Sequence, residues 1–224
     1  MLNIRTVVFV FYCLYACVNF VEGCKEQCLF HYDNSFEESE KRCGQISTGR
    51  VSIQNNKASF SGFGFIALPV FQGNTLQPYF ALAFRFRYTG PVKSMKQPIV
   101  LISNGCEMNS PTIELSIAGS TLTFKIVLTV DGEKNDEVVI SIPDVDVGKE
   151  THVKIGQDNT RIRILVGEHP MHILEKSMHE HVVSSECPLQ IGAGYGLLPF
   201  VGEIDEFVFF PCINEDFFEK ETFP

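Results

Sequence analysis

Phe80-Ala-Leu-Ala-Phe-Arg-Phe-Arg-Tyr88 and Leu122-Thr-Phe-Lys-Ile-Val-Leu-Thr-Val130 decide the fold class. In the first, Phe80, Leu82, Phe84, Phe86 and Tyr88 share one face, with Ala81, Ala83, Arg85 and Arg87 on the other. In the second, Leu122, Phe124, Ile126, Leu128 and Val130 oppose Thr123, Lys125, Val127 and Thr129. Period two is the repeat of a strand with one buried face. Working outward, Ile113, Leu115 and Ile117 lead into the second stripe through a turn at Gly119. Val138, Ile140 and Ile142 follow, then Val153 and Ile155, Ile162 and Ile164, Leu189 and Ile191, and a closing strand from Phe200 to Phe210. Asp131-Gly132 marks a turn between two strands, its loop running through Asp136. About a dozen short strands without a long helix predict an all-β fold, a two-sheet antiparallel sandwich of the jelly-roll kind.

The chain has 224 residues, 45% apolar and 20% charged, enough for one large β domain with a sizeable core. Its formal net charge is −9 and it contains no Trp. That acidity, without any Lys/Arg run, argues against nucleic acid or an anionic membrane surface as partner. Met1 to Arg5 is a short basic start, Val7 to Val21 an apolar run, and Val21-Glu22-Gly23 a cleavage-type end. Residues 1–23 therefore read as a secretory signal, too short to span a bilayer, and no later apolar run is long enough to do so. The expected location is extracellular.

Cys13 and Cys17 would leave with the signal. Cys24, Cys28, Cys43, Cys106, Cys187 and Cys212 remain, and six cysteines in an oxidising compartment predict three disulfides with 15 pairings open by counting. Residues 24–57 form a Cys-rich N-terminal segment, 58–212 the sandwich, and 213–224 an acidic, aromatic tail.

Four passages together resemble laminin-G-like modules of the concanavalin A-like lectin/glucanase superfamily. They are Phe60-Ser-Gly-Phe-Gly-Phe-Ile-Ala-Leu68, Ile113 to Phe124 with its glycine turn, Asp146-Val-Gly-Lys-Glu-Thr-His-Val153, and Leu189-Gln-Ile-Gly192 followed by Phe200 to Val208. Thr151 stands near the family's usual Trp, and Glu203 stands where many such modules have Cys. The resemblance implies a jelly roll that binds extracellular glycans or matrix proteins, with His152 structural. It also implies a Cys187–Cys212 pair, leaving Cys24, Cys28, Cys43 and Cys106 to pair among themselves. Some modules hold a rim calcium, but the passage before Ile113 reads Asn109-Ser110-Pro111 rather than offering an Asp. No cofactor is expected. Asp144 and Asp146 are the nearest approach to a calcium set, and read as a solvated turn.

Gly202-Glu203-Ile204-Asp205-Glu206 is similar to the carboxylate strand of laminarinase-type glucanases. Glycoside hydrolysis needs a nucleophile and an acid on one face. Period two places Glu203 and Asp205 together, puts Phe207 where a third carboxylate would stand, and turns Glu206 to the opposite face. These residues are weak catalytic candidates, and the chain is read as a non-enzyme. His179 and His181, in the run that also holds His169 and His172, are weak metal candidates that no carboxylate or thiolate spacing completes. Tyr195, in Gly192-Ala-Gly-Tyr-Gly196, is the binding candidate. Function by surface complementarity at rim loops follows: a recognition or structural matrix module, with a defence lectin or divergent glycosidase as alternatives.

Overall fold

The computed structural model describes residues 28–30, 32, 47–73, 79–91, 96–107, 109–130, 134–213 and 215–219. The signal segment, Cys13, Cys17, Cys24 and Cys43 lie outside the described residues. Among the described residues fourteen strands run in chain order: β1 (Cys28–Phe30), β2 (Ser47–Gln54), β3 (Lys57–Leu68), β4 (Phe80–Tyr88), β5 (Ile99–Ser103), β6 (Ile113–Ala118) and β7 (Thr121–Val130). After them come β8 (Lys134–Ile142), β9 (Thr151–Gln157), β10 (Arg161–Val166), β11 (His172–Glu175), β12 (Glu180–Val182), β13 (Leu189–Ile191) and β14 (Val201–Phe210). Every strand pair is antiparallel. Short loops carry the expected turn chemistry: Asn55 and Asn56 both adopt positive φ between β2 and β3, and Gly119 does so between β6 and β7.

Hydrogen bonding follows one path, β11-β10-β9-β4-β14-β3-β13-β5-β6-β7-β12, with β1 beside β14, β2 beside β3 and β8 beside β7. The long β3 is the hinge. Its residues Ala58 to Ser61 pair with β14, and Ile66 to Leu68 pair with β13. Two layers therefore close over one core, to which Phe84, Ile155, Ile164 and Phe207 contribute from the first layer and Leu115, Phe124 and Ile102 from the second. The all-β sandwich expected from the stripes is what forms.

The second stripe is buried as read: Leu122, Phe124, Ile126 and Leu128 lie in the core, and Thr123 and Lys125 are half-buried on the other face. The first stripe is buried too, but its other face is not simply solvated. Ala81 and Ala83 are covered by Cys212, Ile213 and Phe217. The residues just past 212 are thus part of the packed fold, with Phe217 and Phe218 held by cations: Lys154 Nζ stands 5.6 Å from the Phe217 ring and the Arg163 guanidinium 4.9 Å from Phe218. At the other end, β1 and β2 extend the sheet ladder across the boundary placed at residue 58.

The disulfide pairing departs from the resemblance. Cys187 bonds Cys106, not Cys212. Cys212 is disulfide-bonded as well, to another cysteine. The reason lies in the sheet: β13 pairs with β5, Gln190 opposite Ser103, so the chains leading out of that pair hold Cys106 and Cys187 with Cα atoms 6.0 Å apart. Beside the bridge, Ser185 Oγ donates to the Asn104 carbonyl, and the Asn104 carboxamide oxygen accepts from the Thr112 and Ile113 amides. Every polar group of this buried corner that matters to β6 is thereby satisfied.

Candidate functional site

Glu203, Asp205 and Glu206 lie on the outer face of the first layer, and their arrangement corrects the period-two reading. β14 slips register against β4 between Asp205 and Val208, with Glu206 at φ +50. This bulge puts both Ile204 and Phe207 in the core. Phe207 is therefore not beside Glu203 and Asp205, and Glu206 does not face away from them. Arg85 and Arg87 show this directly, being two apart on β4: Arg87 pairs with Glu203 at 2.9 Å, and Arg85 pairs with Glu206 at 2.7 Å. Arg85 also reaches Glu150 at 3.3 Å, which Lys57 pairs in turn. Both glutamates are thus held by guanidinium groups, and Lys57 together with Arg85 keeps the Glu150 carboxyl below its usual range. Burial raises the Asp205 carboxyl, whose Oδ1 accepts from the Glu206 amide at 2.9 Å. The arrangement is an ion-pair network on a sheet face.

The metal candidates separate. Val145 and Val147 point inward, so Asp144 and Asp146 face solvent, and Asp146 pairs with Lys149 at 3.0 Å. His179 lies in the turn before β12 and His181 on that strand, away from the Asp144–Asp146 turn, and the His181 ring meets the His179 carbonyl at 3.3 Å. Among the described residues no three His, Cys, Asp or Glu side chains converge on a point. His152 is half-buried opposite Arg85, and its pKa is lowered by burial and by Lys154 and Arg85. Thr151 is buried and donates its hydroxyl to the Asp146 carbonyl at 3.0 Å. A cavity of about 20 Å³ between the layers, lined by Phe80, Ile102, Phe124, Ile155 and Phe209 among others, is a packing void with room for about one water.

Tyr195 is different: it is 61% exposed at the tip of the loop joining β13 to β14. The loop is closed at its base by the Phe200 amide donating to the Gly192 carbonyl, and Leu198 is bridged to Ile99. Gly194 is pressed on β5, where a Cβ would stand 2.9 Å from that of Ser103. The backbone is fixed while the ring is free. A second exposed aromatic stands on β3, on the segment that the base of this loop meets where Gly192 approaches the Gly64 carbonyl. The loop leaves β3 at Ile66, opposite Ile191, and rejoins it at Ser61, opposite Val201, so it spans the residues around Phe63. Phe63 is 75% exposed, the most exposed large apolar side chain among the described residues. A polar row runs from under the loop across the second layer's outer face, Gln190 opposite Ser103, then Glu114, then Lys125. Burial raises the Glu114 carboxyl, with Lys125 opposing, and Lys125 pairs with Glu137 at 2.6 Å. Sequence reading found Tyr195 but missed Phe63, because an outward Phe in a Phe-rich strand looks like core; its flanking Gly62 and Gly64 were the available signal.

Fold and rim together define an all-β, jelly-roll-like sandwich with an aromatic rim. No protein-family model and no curated protein sequence matches the chain. Solved structures do. The botulinum neurotoxin serotype D ligand-binding domain in complex with N-acetylneuraminic acid aligns with 85% of this chain and 48% of its own, at 11% identity and a TM-score of 0.62. The serotype G binding domain aligns over 85% and 49%, at 12% identity and 0.61. The binding domain of botulinum neurotoxin DC in complex with rat synaptotagmin II aligns over 85% and 49%, at 13% identity and 0.59. The chain spans about half the length of these domains, and the likeness is one of fold. Among the described residues no helix is long and apolar enough to cross a membrane.

Proposed function

We propose that this chain is a secreted, extracellular recognition module, laminin-G-like within the concanavalin A-like superfamily, whose Phe63–Tyr195 rim binds a glycan. The observation that carries this reading is two exposed aromatic residues, Phe63 and Tyr195, on segments whose backbones meet at Gly64 and Gly192, with a row of polar side chains on the outer face of the second layer. Rings of this kind offer an apolar face to the C–H side of a sugar while amide and carboxylate groups take its hydroxyls. A matrix protein is the second reading, since the same rings would serve as interface anchors, and one fold neighbour was solved with a protein bound.

On a glycan array, the wild-type protein is expected to bind a defined saccharide class, and Tyr195→Ala to weaken that binding about tenfold without lowering the thermal midpoint. Binding that is unchanged in both Tyr195→Ala and Phe63→Ser would sink the rim assignment. Catalysis is not part of the proposal. Incubation with β-1,3- and β-1,4-glucans is expected to release no reducing ends. Turnover that vanishes in Glu203→Gln would instead make the β14 carboxylates an active site.

A further inference from the structure

Among the described residues five strands have a neighbour on one side only: β1, β2, β8, β11 and β12. Such an edge presents unpaired N–H and C=O groups, and natural sheets protect it by shortness, by a bulge, or by Lys or Pro on the strand. β1 and β12 have three residues and β11 has four. β2 is broken between Gly49 and Val51, with Arg50 at φ +51. β8 lacks these devices. It has nine residues, all paired with β7 in one unbroken register, and from Asn135 to Ile142 it holds no Lys, Arg or Pro.

The side chains of β8 favour a partner strand. Val139 is 52% exposed on the outer face. Val138 and Ile140 pack on the core from the inner face yet stay only half-buried, so the core is left partly open at this edge. Charge is divided along the strand: Asp136 and Glu137 stand at one end, and Val138 to Ile142 are uncharged. A parallel copy would set acid against acid. An antiparallel copy sets the acidic end of each strand against the uncharged end of the other.

We propose that β8 is a dimerisation edge, pairing antiparallel with β8 of a second copy about a two-fold axis at Val139. In that register Val139 meets its own counterpart, Val138 meets Ile140, Glu137 meets Ser141 and Asp136 meets Ile142. Inner faces stay inner, because the pairing preserves the period-two alternation, and the two second layers join into one sheet. Centring on Ile140 instead would set Asp136 against Asp144, and centring on Val138 would set Glu137 against Val139. The two-fold contact uses the same edge on both copies, so the assembly closes as a dimer and does not grow into a fibre. This inference is independent of the recognition reading.

The test is sedimentation equilibrium of the purified protein over roughly 1–100 µM. A reversible dimer is expected for the wild type. Val139→Glu should make it monomeric: within the chain the new carboxylate lies opposite Lys125, but across the axis it faces its own copy. Its melting temperature, measured at a concentration where the wild type is monomeric, should match that of the wild type. Ser141 is exposed, so its substitution spares the core, and it reads the register. Ser141→Lys, facing Glu137 of the second copy, should tighten the dimer about fivefold, and Ser141→Glu should weaken it by a similar factor. These two variants decide the matter should Val139→Glu lower the melting temperature. A wild type that stays monomeric throughout would overturn the proposal. So would a dimer that survives a well-folded Val139→Glu, or one that responds alike to both charges at Ser141.

Discussion

Replacing Cys106 and Cys187 together by alanine is expected to destabilise the domain by about 4.5 kcal/mol. The bridge closes a loop of 81 residues, and restriction of that loop in the unfolded chain is what the chain-entropy relation weighs. For a domain of this size the loss corresponds to a fall of roughly 10–15 °C in melting temperature. Non-reducing peptide mapping should recover a peptide pair joining Cys106 to Cys187. A pair joining Cys187 to Cys212, or a melting temperature unmoved by the double replacement, would contradict the assignment. The bridge ties the chain entering β13 to the chain leaving β5, so its loss should loosen the Asn104–Ser185 corner before the rest of the core.

Phe124→Ala is expected to cost about 3–5 kcal/mol, a third or more of the stability of an ordinary domain. Phe124 is fully buried between Leu115 on β6 and Ile140 on β8, and it already borders the small void between the layers. Truncation enlarges that void, and strands on both sides prevent its collapse. Thr123, one residue away and facing outward, should tolerate alanine with little change. Chemical denaturation of the two variants measures the difference. Equal destabilisation would mean that the β7 register is wrong, because a slip of one residue exchanges the two faces.

The rim and the ion-pair face differ in how far they were legible. Tyr195 could be found because its glycine-rich surroundings mark a loop. Phe63 could not, because its exposure goes with lost register between β2 and β3, and nothing in Gly49-Arg50-Val51 announces a bulge. Glu206 failed for the same reason. Gly202-Glu-Ile-Asp-Glu-Phe207 alternates plausibly in two registers, and burying both Ile204 and Phe207 selects the bulged one. Hydrophobic burial of a Phe outweighs the regularity of the ladder.

By itself the sequence determined which faces are buried. Alternation is a local property: side chains two apart share a face whatever the strand pairs with, so the stripes at Phe80–Tyr88 and Leu122–Val130 entail an all-β, layered core. Only the tertiary structure decided which strands became neighbours, and with that the partner of Cys187, the bulge at Glu206, and the close approach of the Arg50 and Gly192 backbones to Gly64. These depend on packing between residues up to about 140 positions apart, where side-chain volumes and backbone hydrogen bonds compete across the whole sheet.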